Sequence, residues 1–291
     1  MISKLPVVIS TAHNSGYVPH DILVEMLGAQ ASDLNARETR LAQMFHEGDP
    51  YTDIIFHVPG AVHLHALVSR FVVDLNRERS EFGPNGVVKL TDFQRRPLYP
   101  DSFTLTPETT EDRLRRYWDP YHTSYDELLA RDDISFFIDG HSMTEVGPPL
   151  GPDAGRPRPA LTLMTGGDRY GEPLAPGVPP SVPADTAYAL LALLEQHFAD
   201  AMTLNPNVPA EVRLNDPFAV AGVQLRHCGP DAPTPKPGFS IEVNRALYLA
   251  PRADGLSDVI PGSIEALNAA FNTFVPEATK LFPVPSLSRA S

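Results

Sequence analysis

The chain has 291 residues, 42% of them hydrophobic, and a formal net charge of −13. That length suits one α/β domain over 1–291, the acidic balance excludes a nucleic-acid partner, and a lone Cys228 excludes an intramolecular disulfide framework. The apolar run in MISKLPVVIS is short for a secretory signal and no later run reaches transmembrane length, so a cytoplasmic protein with no membrane partner is expected.

Pro6–Ser10 (PVVIS) reads as a buried strand, and the loop at its carboxyl end holds His13, Ser15 and Gly16. Asp21–Leu27 reads as a short helix. Asn35–Glu47 reads as a second one, with Leu41, Met44 and Phe45 at helical spacing and Glu38 in a first turn that favours an acid. Asp53–Val58 (DIIFHV) and Ala66–Leu75 (ALVSRFVVDL) read as the next strands, the latter leading from Asp74 into Asn76 and Arg77. Arg70 interrupts that run, and a buried arginine needs a carboxylate or an anionic ligand. His63 and His65, two apart, would share one face of a strand; such a pair can ligate a metal, but no acid is tied to it here.

Residues 79–107, rich in Gly and Pro, form an irregular excursion. Glu108–Ala130 is a long helical stretch that Pro120 kinks or splits, with His122 just past the break. Ser135–Met143 (SFFIDGHSM) is the central strand. Its apolar run ends in Asp139, Gly140 and His141, at the carboxyl end where open α/β sheets bind ligands. The segment 147–159 (GPPLGPDAGRPRP) reads as a mobile loop beside that site, of a length typical of lids. Ala160–Met164, Gly222–Cys228 and Gly238–Asn244 complete the strands; Pro183–Met202 and Ile264–Leu281 are helices; the tail FPVPSLSRAS is expected to be poorly ordered. The alternation predicts an α/β fold with a mixed, mostly parallel sheet flanked by helices.

Chemistry-bearing residues therefore collect at strand ends. Glu242 lies inside an apolar strand, SIEVN, where an acid is costly without a cation or metal-bound water nearby. Two histidines plus one carboxylate, with an open fourth position, describe a catalytic zinc site. A further unliganded carboxylate suits a general base, and two arginines suit the carboxylates of an acidic substrate.

AHNSGYVP, SRFVVDLNR, FFIDGHSM, GGDRYG and IEVNRALY resemble the successive motifs of the N-formylglutamate amidohydrolase family, over residues 6–250. The resemblance implies a zinc-dependent-exopeptidase-like fold. It also implies metal-dependent hydrolysis of N-formyl-L-glutamate, a small acidic substrate, to formate and L-glutamate in histidine degradation, with Zn2+ or another divalent metal as cofactor. Carried over, His13 and His141 are metal ligands, and the third is a carboxylate from the following helix, with Glu38 the choice and Asp33 its rival. Asn76 and Arg77 resemble the pair that grips a terminal carboxylate in zinc carboxypeptidases, and Glu242 stands in the place of their general base. Arg70 and Arg226 remain for the second carboxylate or for polarising the scissile carbonyl, and Ser15 is a further substrate contact. A hydrolase of the same fold with another amide substrate and a non-catalytic anion-binding protein are the alternatives; metal content separates the second of these from the enzymes.

Overall fold

The computed structural model describes residues 4–83, 85–229 and 231–284, with all of their side chains except those of Gln224 and Leu225. The tail segment FPVPSLSRAS lies mostly outside the described residues. Strand β1 (Val7–Thr11) has all five residues buried, as a β-branched run does when both faces of a sheet are covered. Helices α1 (His20–Leu27) and α2 (Leu34–Glu47) follow. Asp33 caps α2 by accepting from the Asn35 and Ala36 amides. A single helical turn, α3 (Thr52–Ile55), then leads into β2 (Val62–His65).

Among the described residues, 66–106 carry no helix or strand beyond an isolated bridge between Thr91 and Pro97. Helix α4 (Pro107–Arg113), a π-helical turn over Leu114–Trp118 and α5 (Asp119–Leu129) then run on without a break. Pro120 therefore does not split the stretch: it sits in the first turn of α5, and the wide turn before it absorbs the missing backbone donor. The remaining elements are β3 (Phe136–Met143), β4 (Leu161–Met164), α6 (Ala184–His197), β5 (Val212–Leu214), α7 (Gly222–Cys228), β6 (Gly238–Asn244), the small hairpin β7 (Leu249–Pro251) and β8 (Ser257–Val259), and α8 (Ser263–Ala278).

Six strands make one sheet in the order β2-β1-β3-β6-β4-β5. The first four are mutually parallel, β4 runs antiparallel to β6, and β5 is parallel to β4. The sheet is mixed and mostly parallel, with helices against its faces. Its core follows the period of two: Val7, Ile9, Phe136 and Ile138 bury with Leu190, Leu194, Phe271 and Phe274 of α6 and α8, while Val8 and Phe137 bury on the other face with Trp118, Tyr125 and Leu129. A third cluster, including Ile22, Met26, Met44, Val68, Phe71 and Leu98, fastens the long irregular segment to α1 and α2. Among the described residues, no helix is long and apolar enough to cross a membrane.

Three segments depart from the strands their sequences suggest. Asp53–Val58 holds the turn of α3, opened by the Thr52 hydroxyl donating to the Asp49 carbonyl at 2.7 Å, and the strand beside β1 is instead the H-x-H stretch. Ala66–Leu75 folds into successive turns in which the Val72 and Val73 amides both donate to the Ser69 carbonyl. Gly222–Cys228 is helical, its Val223 amide donating to Asn76 Oδ1 at 3.0 Å. In each case a short apolar run without clear alternation fits either period, and packing decides.

Candidate active site

The strand order reverses at β1 and β3: the chain leaves β1 for β2 on one side, while β6 and β4 lie on the other. Ligand crevices form outside the carboxyl ends of strands at such a point. His13 stands two residues beyond β1 and His141 within the carboxyl half of β3, with ring centroids 4.9 Å apart. Gly140 permits a close fit there, since a Cβ on it would lie 2.5 Å from the Phe56 ring.

A third residue joins the two rings. Asp49 follows the cap of α2, and its amide donates to the His13 carbonyl at 2.9 Å. Its Oδ2 lies 3.3 Å from His13 Nδ1 and 3.1 Å from His141 Nδ1. The other ring nitrogens each meet an acid of their own, His13 Nε2 with Asp74 Oδ1 at 2.7 Å and His141 Nε2 with Asp139 Oδ2 at 2.7 Å. All five side chains are buried. Among the described residues, His13, Asp49 and His141 form the group of three or more such side chains whose ligand atoms lie within 4.8 Å of one another.

This donor set fits a divalent ion. Histidine ligands commonly give their second N–H to a carboxylate, and Asp74 and Asp139 stand where they would receive it, leaving both Nδ1 atoms turned toward Asp49. Burial opposes ionisation of Asp49, yet the hydrogen bonds from His13 and His141 hold its carboxyl well below the usual range. Burial likewise opposes charge on His141, but the Asp139 and Asp49 carboxylates hold its imidazole well above its ordinary pKa.

Glu242 of β6 is paired in register with His141 across the sheet. Its Oε2 is buried with no hydrogen-bond partner among the described residues. Burial pushes its carboxyl up to about 7 against the pull of His141, with the Asp49 charge adding to the rise. Cations ring these acids. Arg245 donates to Asp49 Oδ1 at 2.8 Å and to Ser142 Oγ at 3.0 Å. Arg70 donates to Asp74 Oδ2 at 2.9 Å, lies 3.8 Å from Asp49 Oδ1 and stacks over Phe93. Lys89, pushed down to about 8 by burial, also pairs with Asp74, at 3.0 Å. Asp74 thus answers Arg70, Lys89 and His13 at once, and the Nε of Arg70, with no hydrogen-bond partner among the described residues, keeps capacity for an anion.

These residues open onto a cavity of about 450 Å³ lined by His13, Asp49, Arg70, Asn76, Arg77, His141, Glu242 and Arg245, among others. Because β4 runs antiparallel to β6, the loop 147–159 enters it at this same edge, and Pro148, Leu150, Gly151 and Pro152 of that loop line the cavity. The loop is pinned at its far end by the buried, two-pronged Arg158–Asp153 pair, both contacts 2.7 Å.

Of the residues singled out in the sequence, the structure gathers His13, Arg70, Asn76, Arg77, His141 and Glu242 around one cavity. Six others are elsewhere. Glu38 is exposed on α2, and Asp33 is exposed and engaged as its cap, so neither reaches the histidines; Asp49 occupies that position because the chain returns to His13 only after α2 ends. Arg226 points along α7 toward the Trp118 ring and Asp126 and does not line the cavity. Ser15 also lies outside the lining, its hydroxyl bridging the Leu67 carbonyl and the Tyr17 amide. His63 and His65 do share one face of β2, stacked with His57, and are tied to Val58 and Thr11. Asp49 and Arg245 are the residues missed; the signal for Asp49 was an acid between Gly48 and Pro50, just where α2 must stop.

The flanked α/β sheet thus brings to one switch-point cleft a buried His–Asp–His set that could hold a cation, an acid whose Oε2 has no partner among the described residues, and Arg70, Arg77 and Arg245. Residues 5–249 match the profile of the N-formylglutamate amidohydrolase family, and the chain belongs to that family. An N-formylglutamate deformylase of Pseudomonas aeruginosa is 32% identical over 127 residues, a match covering 38% of this chain and 48% of that protein; the chain thus spans about half the length of this relative. The crystal structure of an N-formylglutamate amidohydrolase from Ralstonia eutropha superposes with a TM-score of 0.64 at 19% identity, covering 96% of this chain and 94% of the other. A gene product of Agrobacterium tumefaciens gives 0.62 at 17% identity, covering 96% and 92%. Both share the fold.

Proposed function

We propose that the protein is a metal-dependent amidohydrolase that cleaves N-formyl-L-glutamate to formate and L-glutamate. The observation that carries this reading is the meeting of His13, Asp49 and His141 beside Glu242, whose Oε2 has no hydrogen-bond partner among the described residues. His13, Asp49 and His141 would hold the ion, which when bound supplies a Lewis acid for the formyl carbonyl and acidifies the attacking water. Glu242, held near neutrality by burial, takes the proton of that water at a carboxylate oxygen and returns it to the leaving amine nitrogen. Arg77, a third exposed and, among the described residues, held only by a long ion pair from its Nε to Glu81 at 3.5 Å, together with Asn76 grips one substrate carboxylate; Arg70 faces the other or the carbonyl oxygen. A cytoplasmic place in histidine degradation accompanies this reading through the family resemblance.

Apolar Leu150, Met164, Phe218 and Val220 also line the cavity, which supports a second reading with the same chemistry on a bulkier N-acyl group. Formate and carboxylate release across a panel of N-formyl and N-acyl amino acids, with and without chelator, decides. The expected result is highest kcat/KM on N-formyl-L-glutamate, lost on chelation and restored by Zn2+. Turnover of a larger acyl substrate alone moves the assignment to the second reading, and no turnover with tight anion binding and no bound ion leaves a binding protein.

A further inference from the structure

Behind His141, on the sheet face toward α5, three side chains with no solvent exposure form a line. Tyr125 Oη lies 3.1 Å from Ser10 Oγ, and Ser10 donates to Asp139 Oδ1 at 2.6 Å. Asp139 Oδ2 meets His141 Nε2 at 2.7 Å. Ser10 and Asp139 are register partners on β1 and β3, so the sheet itself sets their spacing.

The protons in this line can be counted. An ionised Asp139 only accepts. Ser10 has one proton and gives it to Asp139, so the Tyr125 phenol must donate to Ser10. With an ion in the site, His141 would keep its proton on Nε2, against Asp139, and leave the Nδ1 lone pair on the side of Asp49 for the ion. A competing group is in place: Asn76 Nδ2 lies 3.4 Å from the same Nε2, and an amide donor there favours the opposite tautomer. Asp139 wins only while its second oxygen stays fixed.

We propose that Ser10, oriented by Tyr125, is a positioning residue for the ion site: by holding Asp139 it fixes the tautomer and ring orientation of His141. This rests on the metal reading above. Ser10 and Tyr125 touch neither substrate nor ion, so a purely structural role for them would change stability alone.

The test is Zn2+ affinity by competition with a chromophoric chelator, alongside thermal melting of the metal-stripped protein. Ser10→Ala is expected to weaken Zn2+ roughly 10- to 100-fold, the usual cost of losing an outer partner, while Ser10→Thr, which keeps the hydroxyl, restores most of the affinity. Tyr125→Phe leaves Ser10 free to turn and is expected to weaken Zn2+ by a smaller factor, so it serves if Ser10→Ala proves too unstable to purify. Histidine ring NMR of the Zn2+-loaded protein should show a proton on His141 Nε2. Wild-type affinity in the variants, with only the melting temperature lowered, overturns the inference while the metal reading stands. Wild-type protein that takes up no Zn2+ removes the metal reading, and the inference with it.

Discussion

Replacing Glu242 by glutamine keeps the shape of the side chain and removes its proton acceptor. General acid–base groups contribute about 10²- to 10⁴-fold to rate, so kcat should fall by roughly a thousandfold with KM little changed. Zn2+ affinity should also hold, because Glu242 is not among the three side chains proposed to hold the ion. Stability should move the other way. Burial raises this carboxyl from 4.5 to about 7, and each unit is worth about 1.4 kcal/mol, which sets a ceiling of about 3 kcal/mol on the cost of its charge in the folded protein. The position is only partly shielded from water, so a gain of about 1 kcal/mol is the working figure. The sign follows from the folded state binding the proton more tightly: the penalty is full above pH 7, shrinks as pH falls from 7 toward 4.5, and is gone below that. Metal-stripped Glu242→Gln should therefore melt above the wild type at pH 8 and level with it near pH 4.5. Steady-state formate release and paired melting curves at the two pH values are sufficient. A kcat near wild type removes Glu242 as the base, and a lower melting temperature at pH 8 refutes the buried-charge reasoning.

Other expectations are separable. Asp49→Asn keeps an acceptor for Arg245 but should weaken Zn2+ by about a hundredfold or more, beyond the loss expected of an outer partner, whereas Glu38→Ala and Asp33→Ala leave it unchanged; metal titration of the three variants checks this. Arg77→Ala should raise KM for N-formylglutamate with kcat nearly constant, and an unmoved KM would end the carboxylate-clamp assignment. Gly140→Ala brings a methyl within 2.5 Å of the Phe56 ring and should cost about 1–3 kcal/mol in denaturant unfolding. The pH profile of kcat/KM should fall on the acid side of about pH 7, as Glu242 becomes protonated.

The central strand was legible because the apolar run Phe136–Ile138 ends in Asp139, Gly140 and His141, the pattern of a buried strand whose carboxyl end opens onto a site. The placement of Asp74, Asn76 and Arg77 was legible too, although for an unsound reason: the run before them is a set of turns, and they reach the cleft because Val68, Phe71 and Val72 anchor those turns in a hydrophobic cluster. Asp49 was not legible. Helical spacing says where an acid lies along α2 but not how far the chain runs before it returns to His13, and that distance is fixed by tertiary packing. Arg226 failed for a related reason: seven residues beginning at Gly222 fit a strand or a helix, and the helix turns its guanidinium toward Trp118.

The reversed direction of β4 separates what this molecule can vary from what it must keep. The connection entering β4 roofs the cleft, and the Arg158–Asp153 clamp stands between that roof and the strand's hydrogen-bond ladder. Pro148, Leu150, Gly151 and Pro152, which line the cavity, come before that clamp and lie outside every pairing of the six-stranded sheet. Under the proposed activity, changes of length or sequence there are expected to alter the size of the acyl group accepted and to leave the hydrolytic residues in place.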